Sequence, residues 1–339
     1  MNTFVDYSYV VAIPTYNEEL YIADAIKSLF NDCVYKKLRV VIIDAGSTDN
    51  TIEHATSVLR ELHIKYEVLF NKLKLPAHGL NRVLLASNED IFIRCDAHCL
   101  YKQGYLTGLV DVLLGYGRET IVTVGGCWDI KAAKYSGSKG NAISNAVSNP
   151  FIVGNILYRQ MQESSEIRKT DTAPYSIFWT DQLKCIGGYD ESLKYAEDDE
   201  LNFRVLRAGG HVLLNPSSRA EYYARGTFRE LCKQYFRYGN GKARVLLKLG
   251  KVATIRQLAP VINIIILIVA AVVSVIFNNP WSVYAYMIIY AGYLSLVSVI
   301  ACNMAIVERI YFFVSAVIIQ YCYGMGYLGR LILRDSYDE

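Results

Sequence analysis

The chain predicts an α/β fold, a mostly parallel sheet with helices on both faces, followed by C-terminal hydrophobic helices. Three observations lead there. Short apolar runs alternate with amphipathic ones through the N-terminal third, the rhythm of strand–helix–strand units that build a parallel sheet. Charged residues are frequent up to about Arg256, then nearly vanish until Glu308 and Arg309. Three long apolar runs, 261–277, 282–302 and 310–328, fill that charge-poor tail.

Taken in order, 9–13 is a buried strand of apolar residues and 18–30 an amphipathic helix. A second strand at 40–43 leads to a helix over 51–62, and a third at 66–70 to a helix over 79–86. Strands follow at 91–94 and 120–125. Residues 131–171, rich in Ser, Asn, Gly and Lys, predict loop with short helices, either a cover over a site or an irregular connector. A strand at 177–179 precedes the acidic stretch Glu197-Asp198-Asp199-Glu200, which opens a helix running to Gly209-Gly210. A strand at 212–214 follows.

Composition narrows the class. Of 339 residues, 53% are hydrophobic and only 20% charged, apolar for a soluble protein. The last two apolar runs have the roughly 20 residues that cross a bilayer as a helix. Lys242, Arg244, Lys248, Lys251 and Arg256 precede the first run, which puts that side in the cytoplasm and the turn at 278–281 outside. Arg330 and Arg334 pull the end of the third run inward, against three crossings, so that run reads equally as interfacial or re-entrant. The N-terminus carries no signal-peptide pattern. The expected organisation is a catalytic domain over 1–240, a basic juxtamembrane segment over 241–259 and a membrane region over 260–333 with two or three hydrophobic helices. The eight cysteines include no Cys-x-x-Cys pair, which argues against a zinc finger or a thioredoxin-like site and predicts buried free thiols in a reducing compartment. The net charge of +3 comes without a dense basic stripe, so a nucleic-acid partner is not expected.

Ligands of such sheets bind beyond the carboxyl ends of the strands. Three segments sit there: Pro14-Thr15-Tyr16-Asn17, Asp44-Ala45-Gly46-Ser47-Thr48-Asp49 and Asp96-Ala97-His98. Small residues and hydroxyls at a helix start suit a ribose or base, although Ser47 and Asp49 serve equally as helix caps. No Gly-x-Gly-x-x-Gly follows the first strand, against a dinucleotide oxidoreductase. Asp96 and His98, two residues apart at a strand end, suit one divalent ion, Mg²⁺ or Mn²⁺. Such an ion neutralises a departing diphosphate. At 197–200 one carboxylate would suffice to cap the helix, and four adjacent ones repel. That surplus marks an acid, Asp198, kept ionised for proton transfer.

The ordered motifs Ala-Ile-Pro-Thr-Tyr-Asn-Glu at 12–18, Asp-Ala-Gly-Ser-Thr-Asp at 44–49, Arg-x-Asp-x-His at 94–98, Gly-Gly-Tyr-Asp-Glu at 187–191 and Glu-Asp-x-Glu-Leu-Asn-x-Arg at 197–204 closely resemble family 2 inverting glycosyltransferases of the GT-A fold. The likeness is closest to the membrane-attached branch that builds succinoglycan-type exopolysaccharides, and it spans about residues 9–245. By that resemblance Pro14, Thr15, Asn17 and Asp44 line the nucleotide pocket, Asp96 is the metal-binding acid and Asp198 the catalytic base. Glu197 and Asp199 orient that base or bind acceptor hydroxyls. Two departures stand out. Ala45 replaces the second acid that contacts uracil in many relatives, and Arg94 replaces the first acid of the usual Asp-x-Asp. Arg94 then binds the diphosphate itself, or the metal relies on His98.

Gln234-Tyr235-Phe236-Arg237-Tyr238 distantly resembles the Gln-x-x-Arg-Trp motif of processive synthases. There Tyr238 would stack on an acceptor sugar, with Gln234 and Arg237 beside it, unless these are interfacial aromatics. The resemblance implies a transferase moving one sugar from a nucleotide-sugar, expected to be a UDP-sugar, to a lipid-linked saccharide at the inner face of the plasma membrane. A processive synthase needs more spanning helices, and a sugar-nucleotide nucleotidyltransferase needs a glycine- and lysine-rich first loop. A scaffold without catalysis would have no use for Asp96 and Asp198.

Overall fold

The computed structural model describes residues 7–31, 37–250, 255–300 and 304–333. Cys33, Lys251, Cys302 and Arg334, used in the sequence reading, lie outside them. Contacts divide the chain into two compact units: one runs to Asp129 and resumes over Leu157–Tyr222, the other holds Ile130–Ile156 and everything from Tyr223 onward. The expected boundary near residue 240 falls inside a helix of the second unit.

In the first unit the strands are β1 (Tyr9–Thr15), β2 (Leu38–Asp44), β3 (Lys65–Phe70), β4 (Ile91–Arg94), β5 (Cys99–Tyr101), β6 (Val122–Lys131), β7 (Arg168–Lys169), β8 (Ile177–Trp179) and β9 (His211–Tyr223). They form one sheet in the order β3-β2-β1-β4-β8-β6-β9-β5, with β7 on β9. β3, β2, β1 and β4 run parallel, and β8 enters antiparallel to both β4 and β6. The parallel strands have helices α1 (Ile22–Phe30), α2 (Thr51–Glu61) and α3 (Pro76–Ala86) between and after them. Val10, Val11, Ala12, Val40 and Ile42 are fully or almost fully buried, as central parallel strands require. On α1, Ile22, Ala25, Ile26 and Leu29 form the buried face, the i, i+3, i+4, i+7 stripe of a surface helix. Helix α4 (Tyr105–Tyr116) buries Leu106, Leu109, Val110 and Leu113, α8 (Thr180–Cys185) follows β8, and the acidic helix is α9 (Glu197–Arg207). Cys185 is exposed, against the expectation of uniformly buried thiols; it ends a short helix whose apolar face is taken by Leu183.

Asp129 on β6 clamps this sheet. It accepts hydrogen bonds from Arg219 Nε at 2.9 Å and pairs with Lys102 Nζ at 2.7 Å. Burial alone would raise its pKa, but the bonds from Arg219 and Lys102 outweigh that and hold it at about 2, below the usual 3.8. Because the folded-state pKa is depressed, the clamp is fully stabilising above about pH 4 and is lost as the pH falls toward 2. Wild type should therefore lose up to about 2 kcal/mol from this group across that window. Asp129→Asn should melt lower at neutral pH and show a flatter decline in acid, read as Tm against pH.

In the second unit, α5 (Gly137–Ser148), α6 (Pro150–Val153), α10 (Phe228–Leu249), α11 (Ala259–Ile276), α12 (Trp281–Ile300) and α13 (Ile306–Ile332) are the described α-helices; α7 (Leu157–Gln160) belongs to the first unit. The connector over 131–171 is thus more ordered than its composition suggests, because α5 buries Ala142, Ile143, Ala146 and Val147. Among the described residues three helices are long and apolar enough to cross a membrane: Arg256–Ile276, Trp281–Ile300 and Ile306–Ile332.

Candidate active site

The ends of β1 and β2 lie side by side, with Pro14 opposite Ile43 and Thr15 opposite Asp44. The loops leaving them are knitted together. Asp44, almost buried, accepts from the Ser47 backbone N–H at 2.9 Å and from its hydroxyl at 2.7 Å. Asn17, in the left-handed region at φ 53°, accepts from the Thr48 N–H at 2.9 Å and donates its own N–H to Ser47 Oγ at 3.0 Å. The Glu18 N–H donates to Thr51 Oγ1 at 2.7 Å. The residues expected at the nucleotide thus also hold one rigid rim. Asp49 serves this rim by accepting from the backbones of Thr51 and Glu19. Burial pushes its pKa up, yet these bonds and the Thr51 hydroxyl bring the net shift down.

Two aromatic rings stand open at this rim, Tyr16 at 51% and Phe70 at 59% exposure. The Phe70 ring lies 3.6 Å from where a side chain on Gly46 would begin. Lys74 Nζ sits 5.5 Å from the centre of the Tyr16 ring. Sequence reasoning gave Phe70 and Lys74 no role. The available signal was an aromatic closing a parallel strand, just where ligands bind.

β4 delivers the next group. Arg94, Asp96 and His98 are partly accessible while Cys95, Ala97 and Cys99 are buried, the alternation of an extended chain. The Tyr101 hydroxyl brackets Asp96, accepting from its N–H at 2.8 Å and donating to its carbonyl at 3.0 Å. His98 Nδ1 lies 3.2 Å from Glu18 Oε1, and its ring meets Tyr222 edge-on at 5.5 Å. One imidazole nitrogen is therefore already committed to a carboxylate, an arrangement that fixes the ring. Among the described residues no three His, Cys, Asp or Glu side chains cluster as a metal cage. The donor set, one carboxylate with an imidazole beside it, fits a divalent ion that takes most of its ligands from a diphosphate and water, as Mg²⁺ commonly does.

Arg94 links this strand end to the acidic helix. Its Nη2 pairs with Glu197 Oε1 at 3.0 Å, and its guanidinium lies 5.9 Å from the centre of the Tyr189 ring. Burial pushes its pKa down, but the carboxylates of Glu197, Asp96 and Asp198 push harder, and the net shift is well upward. The cation is permanent. Its Nε and Nη1 are buried without a hydrogen-bond partner, so two donors remain on a guanidinium already paired with Glu197.

The Gly187-Gly188 turn ahead of α9 is held from two sides. Arg204 donates to the carbonyls of Ile186 and Gly188, both at 2.6 Å, and Asn81 exchanges hydrogen bonds with the Tyr189 backbone at 2.7 and 2.8 Å. Gly188 has φ 64°, and a Cβ there would come within 2.6 Å of Asn81 Oδ1, so glycine is required. The four acids then separate by role. Glu200, fully buried, pairs with Arg204 at 2.8 Å. Glu197 pairs with Arg94, and Asp199 accepts from the Thr172 hydroxyl at 2.9 Å. Asp198 is half-buried and accepts the Asp199 N–H at 2.9 Å, inside the first turn where the helix dipole favours a negative charge. Ala196, just before it, is held at φ 63°, a conformation costly for a residue with a side chain.

The residues expected at the acceptor lie in the second unit, on α10. Gln234 donates to the Tyr238 hydroxyl at 3.1 Å. Arg237 and Tyr238 are exposed, whereas Tyr235 packs into the core with Phe312 and Ile319.

Comparison with known proteins bears on the family and the fold. The family model described as "Glycosyl transferase family 2" matches residues 10–171. The chain is 30% identical over 261 residues to the succinoglycan biosynthesis protein ExoA of Rhizobium meliloti, covering 75% of this chain and 74% of that one. It is 24% identical over 247 residues to a dolichyl N-acetyl-α-D-glucosaminyl phosphate 3-β-D-2,3-diacetamido-2,3-dideoxy-β-D-glucuronosyltransferase of Methanococcus voltae, covering 70% and 74%. In fold it is similar to a mannosyltransferase of Pyrobaculum calidifontis solved with GDP-mannose and Mn²⁺, at TM-score 0.57 and 16% identity over 98% of this chain and 90% of that one.

Proposed function

We propose that this chain, which belongs to glycosyl transferase family 2 and is a glycosyltransferase related to exopolysaccharide and lipid-linked transferases, moves one sugar with inversion from a UDP-sugar to a lipid-linked saccharide at the inner face of the plasma membrane. The observation that carries the mechanism is that Arg94, at the end of β4 two residues before Asp96, pairs with Glu197 at the start of α9, the neighbour of Asp198, at 3.0 Å, and that the charges of Asp96 and Asp198 both act on its buried guanidinium. On this reading a donor diphosphate held near Asp96 presents its sugar to Asp198. The Mn²⁺ solved with the mannosyltransferase supports a divalent ion here as well; Asp96, with His98 beside it, would hold it, and when bound it supplies Lewis-acid neutralisation of the leaving diphosphate.

The remaining steps belong to the chain. Pro14, Thr15, Asn17 and Asp44 shape the rim for the nucleoside, and Tyr16 and Phe70 offer faces for the base where Ala45 provides no acid. Arg94 Nε and Nη1 donate to oxygen anions of the diphosphate. Asp198 accepts the proton of the acceptor hydroxyl as its oxygen attacks the anomeric carbon opposite the leaving group. Glu197 acts through Arg94, and Asp199 through Thr172, to hold the first turn of α9 in register.

The experiment is a panel of labelled nucleotide-sugars given to the detergent-purified full chain with lipid extract. One donor should be consumed and one sugar added per acceptor. A polymeric product, or transfer from no donor, contradicts the reading. Phe70→Ala should weaken UDP binding roughly 10-fold by calorimetry, since base–aromatic stacking is worth about 1–3 kcal/mol. Unchanged affinity removes Phe70 from the base site.

A further inference from the structure

Length and apolarity make α11, α12 and α13 all candidates to cross a membrane, with α13 the least apolar, and their packing separates them further. We infer that only the α11–α12 hairpin crosses, and that α13 stays on the catalytic side as a strut clamped between α5 and α10. The inference rests on the membrane attachment proposed above.

Helix α10 carries Arg229, Glu230, Lys233, Arg237, Lys242, Arg244 and Lys248, with Arg229, Glu230, Lys233, Arg237 and Lys248 exposed. Charges at that density do not enter hydrocarbon. α13 lies directly against it, backbone to backbone. A Cβ on Gly239 would come within 2.0 Å of the Tyr323 carbonyl oxygen, and one on Gly326 within 2.1 Å of the Phe236 carbonyl oxygen. Contacts this close between helices need glycine on both sides. They continue in both directions. Leu231 and Tyr235 pack with Phe312, Ala316 and Ile319, and Ala243 packs with Tyr327. α5 covers the same stretch through Ala142, Ile143 and Ala146, and Gln320 donates to the Ile152 carbonyl of α6 at 2.5 Å. The large apolar residues that α13 exposes are Ile306, Val307 and Ile310 in its first turns, Ile332 at its end, and Met325 between. A helix bound along its length to a charged one cannot enter the bilayer without it.

The hairpin packs on α13 through residues such as Val261, Ile264, Leu294 and Val297 and is otherwise largely open. α11 exposes Ile262, Ile265, Ile266, Ile268, Val269 and Val272, and α12 exposes Tyr284, Met287, Ile288 and Ile289. At 18 and 20 residues these helices rise about 27 and 30 Å, a bilayer core's thickness. The connecting turn is polar at Asn278 and Asn279 and is followed by an exposed Trp281, the makeup of a far interface rather than a tip buried in lipid. Arg256 and the basic end of α10 flank the near side. A lipid bilayer is therefore the partner of the hairpin faces, and α13 runs back beside α10.

The test places one epitope between Asn278 and Asn279 and another after Glu339 in the full chain, in sealed membrane vesicles of known orientation. Exposed Cys185 reports the catalytic side through an impermeant maleimide. The C-terminal epitope should be cut by added protease in the vesicles where Cys185 labels, and the turn epitope only in those of opposite orientation. A C-terminal epitope on the turn's side means three crossings and overturns the inference. A turn epitope on the Cys185 side means that the hairpin does not cross, and overturns it too. Alkaline carbonate separates the two levels: released protein ends membrane integration itself, whereas retained protein with the wrong sidedness ends only this inference. Cys232 and Cys322, whose sulfurs lie 2.7 Å apart across α10 and α13, should crosslink under mild oxidation in each tagged chain, confirming that the insertions leave the clamp formed.

Discussion

Asp198→Asn should lower sugar transfer by about 10³-fold, the middle of the range general-base catalysis contributes, while leaving UDP affinity and melting temperature close to wild type. The amide has the carboxylate's shape but cannot take the acceptor's proton. Fold integrity should survive because the amide oxygen can still accept the Asp199 N–H, and the neighbouring acids keep their partners: Glu197 with Arg94, Asp199 with Thr172, Glu200 with Arg204. Asp199→Asn, which keeps an oxygen for the Thr172 hydroxyl, should cost less than about 10-fold. Should Asp198→Asn transfer at the wild-type rate while Asp199→Asn does not, the base is misassigned.

Arg94→Met should be the most damaging single change to stability, by about 3–5 kcal/mol, because it leaves Glu197 buried without its cation. Rescue distinguishes this from a simple packing defect. Adding Glu197→Gln removes the orphaned charge, so the double variant should melt higher than Arg94→Met alone. Its transfer should remain low, since the guanidinium donors toward the diphosphate are still missing. A single variant that melts like wild type would show that the Arg94–Glu197 pair holds nothing in place, and a double variant that regains full transfer would remove Arg94 from the donor site.

Much of this was legible in the residues, for definite reasons. β1, β2 and β4 are uninterrupted apolar runs, as strands buried on both faces must be, and each ends in a motif of small and polar residues. Asp198 stood out because four acids exceed what a helix start can use. What escaped depends on partners distant in sequence. Nothing near Arg94 announces that Glu197 takes its charge, nor that His98 turns to Glu18. β9 extends to Tyr223 although only 212–214 reads as strand, because Pro216 and the serines after it break the apolar pattern while β5 and β7 still pair along its length. β5 and α4 interrupt the strand–helix rhythm, and β5 pairs antiparallel with β9 rather than with a sequence neighbour. The apolar tail announced its hydrophobicity but not its arrangement, since the glycines that seat α13 on α10 are invisible to hydropathy.

The claim at the centre is a single displacement at the anomeric carbon with Asp198 as the base. Its most direct test is the anomeric configuration of the product that the wild-type enzyme forms from an α-linked nucleotide-sugar, read from the proton NMR coupling of the new glycosidic linkage. A β-linked product is predicted; an α-linked product would contradict inversion and, with it, the role given to Asp198.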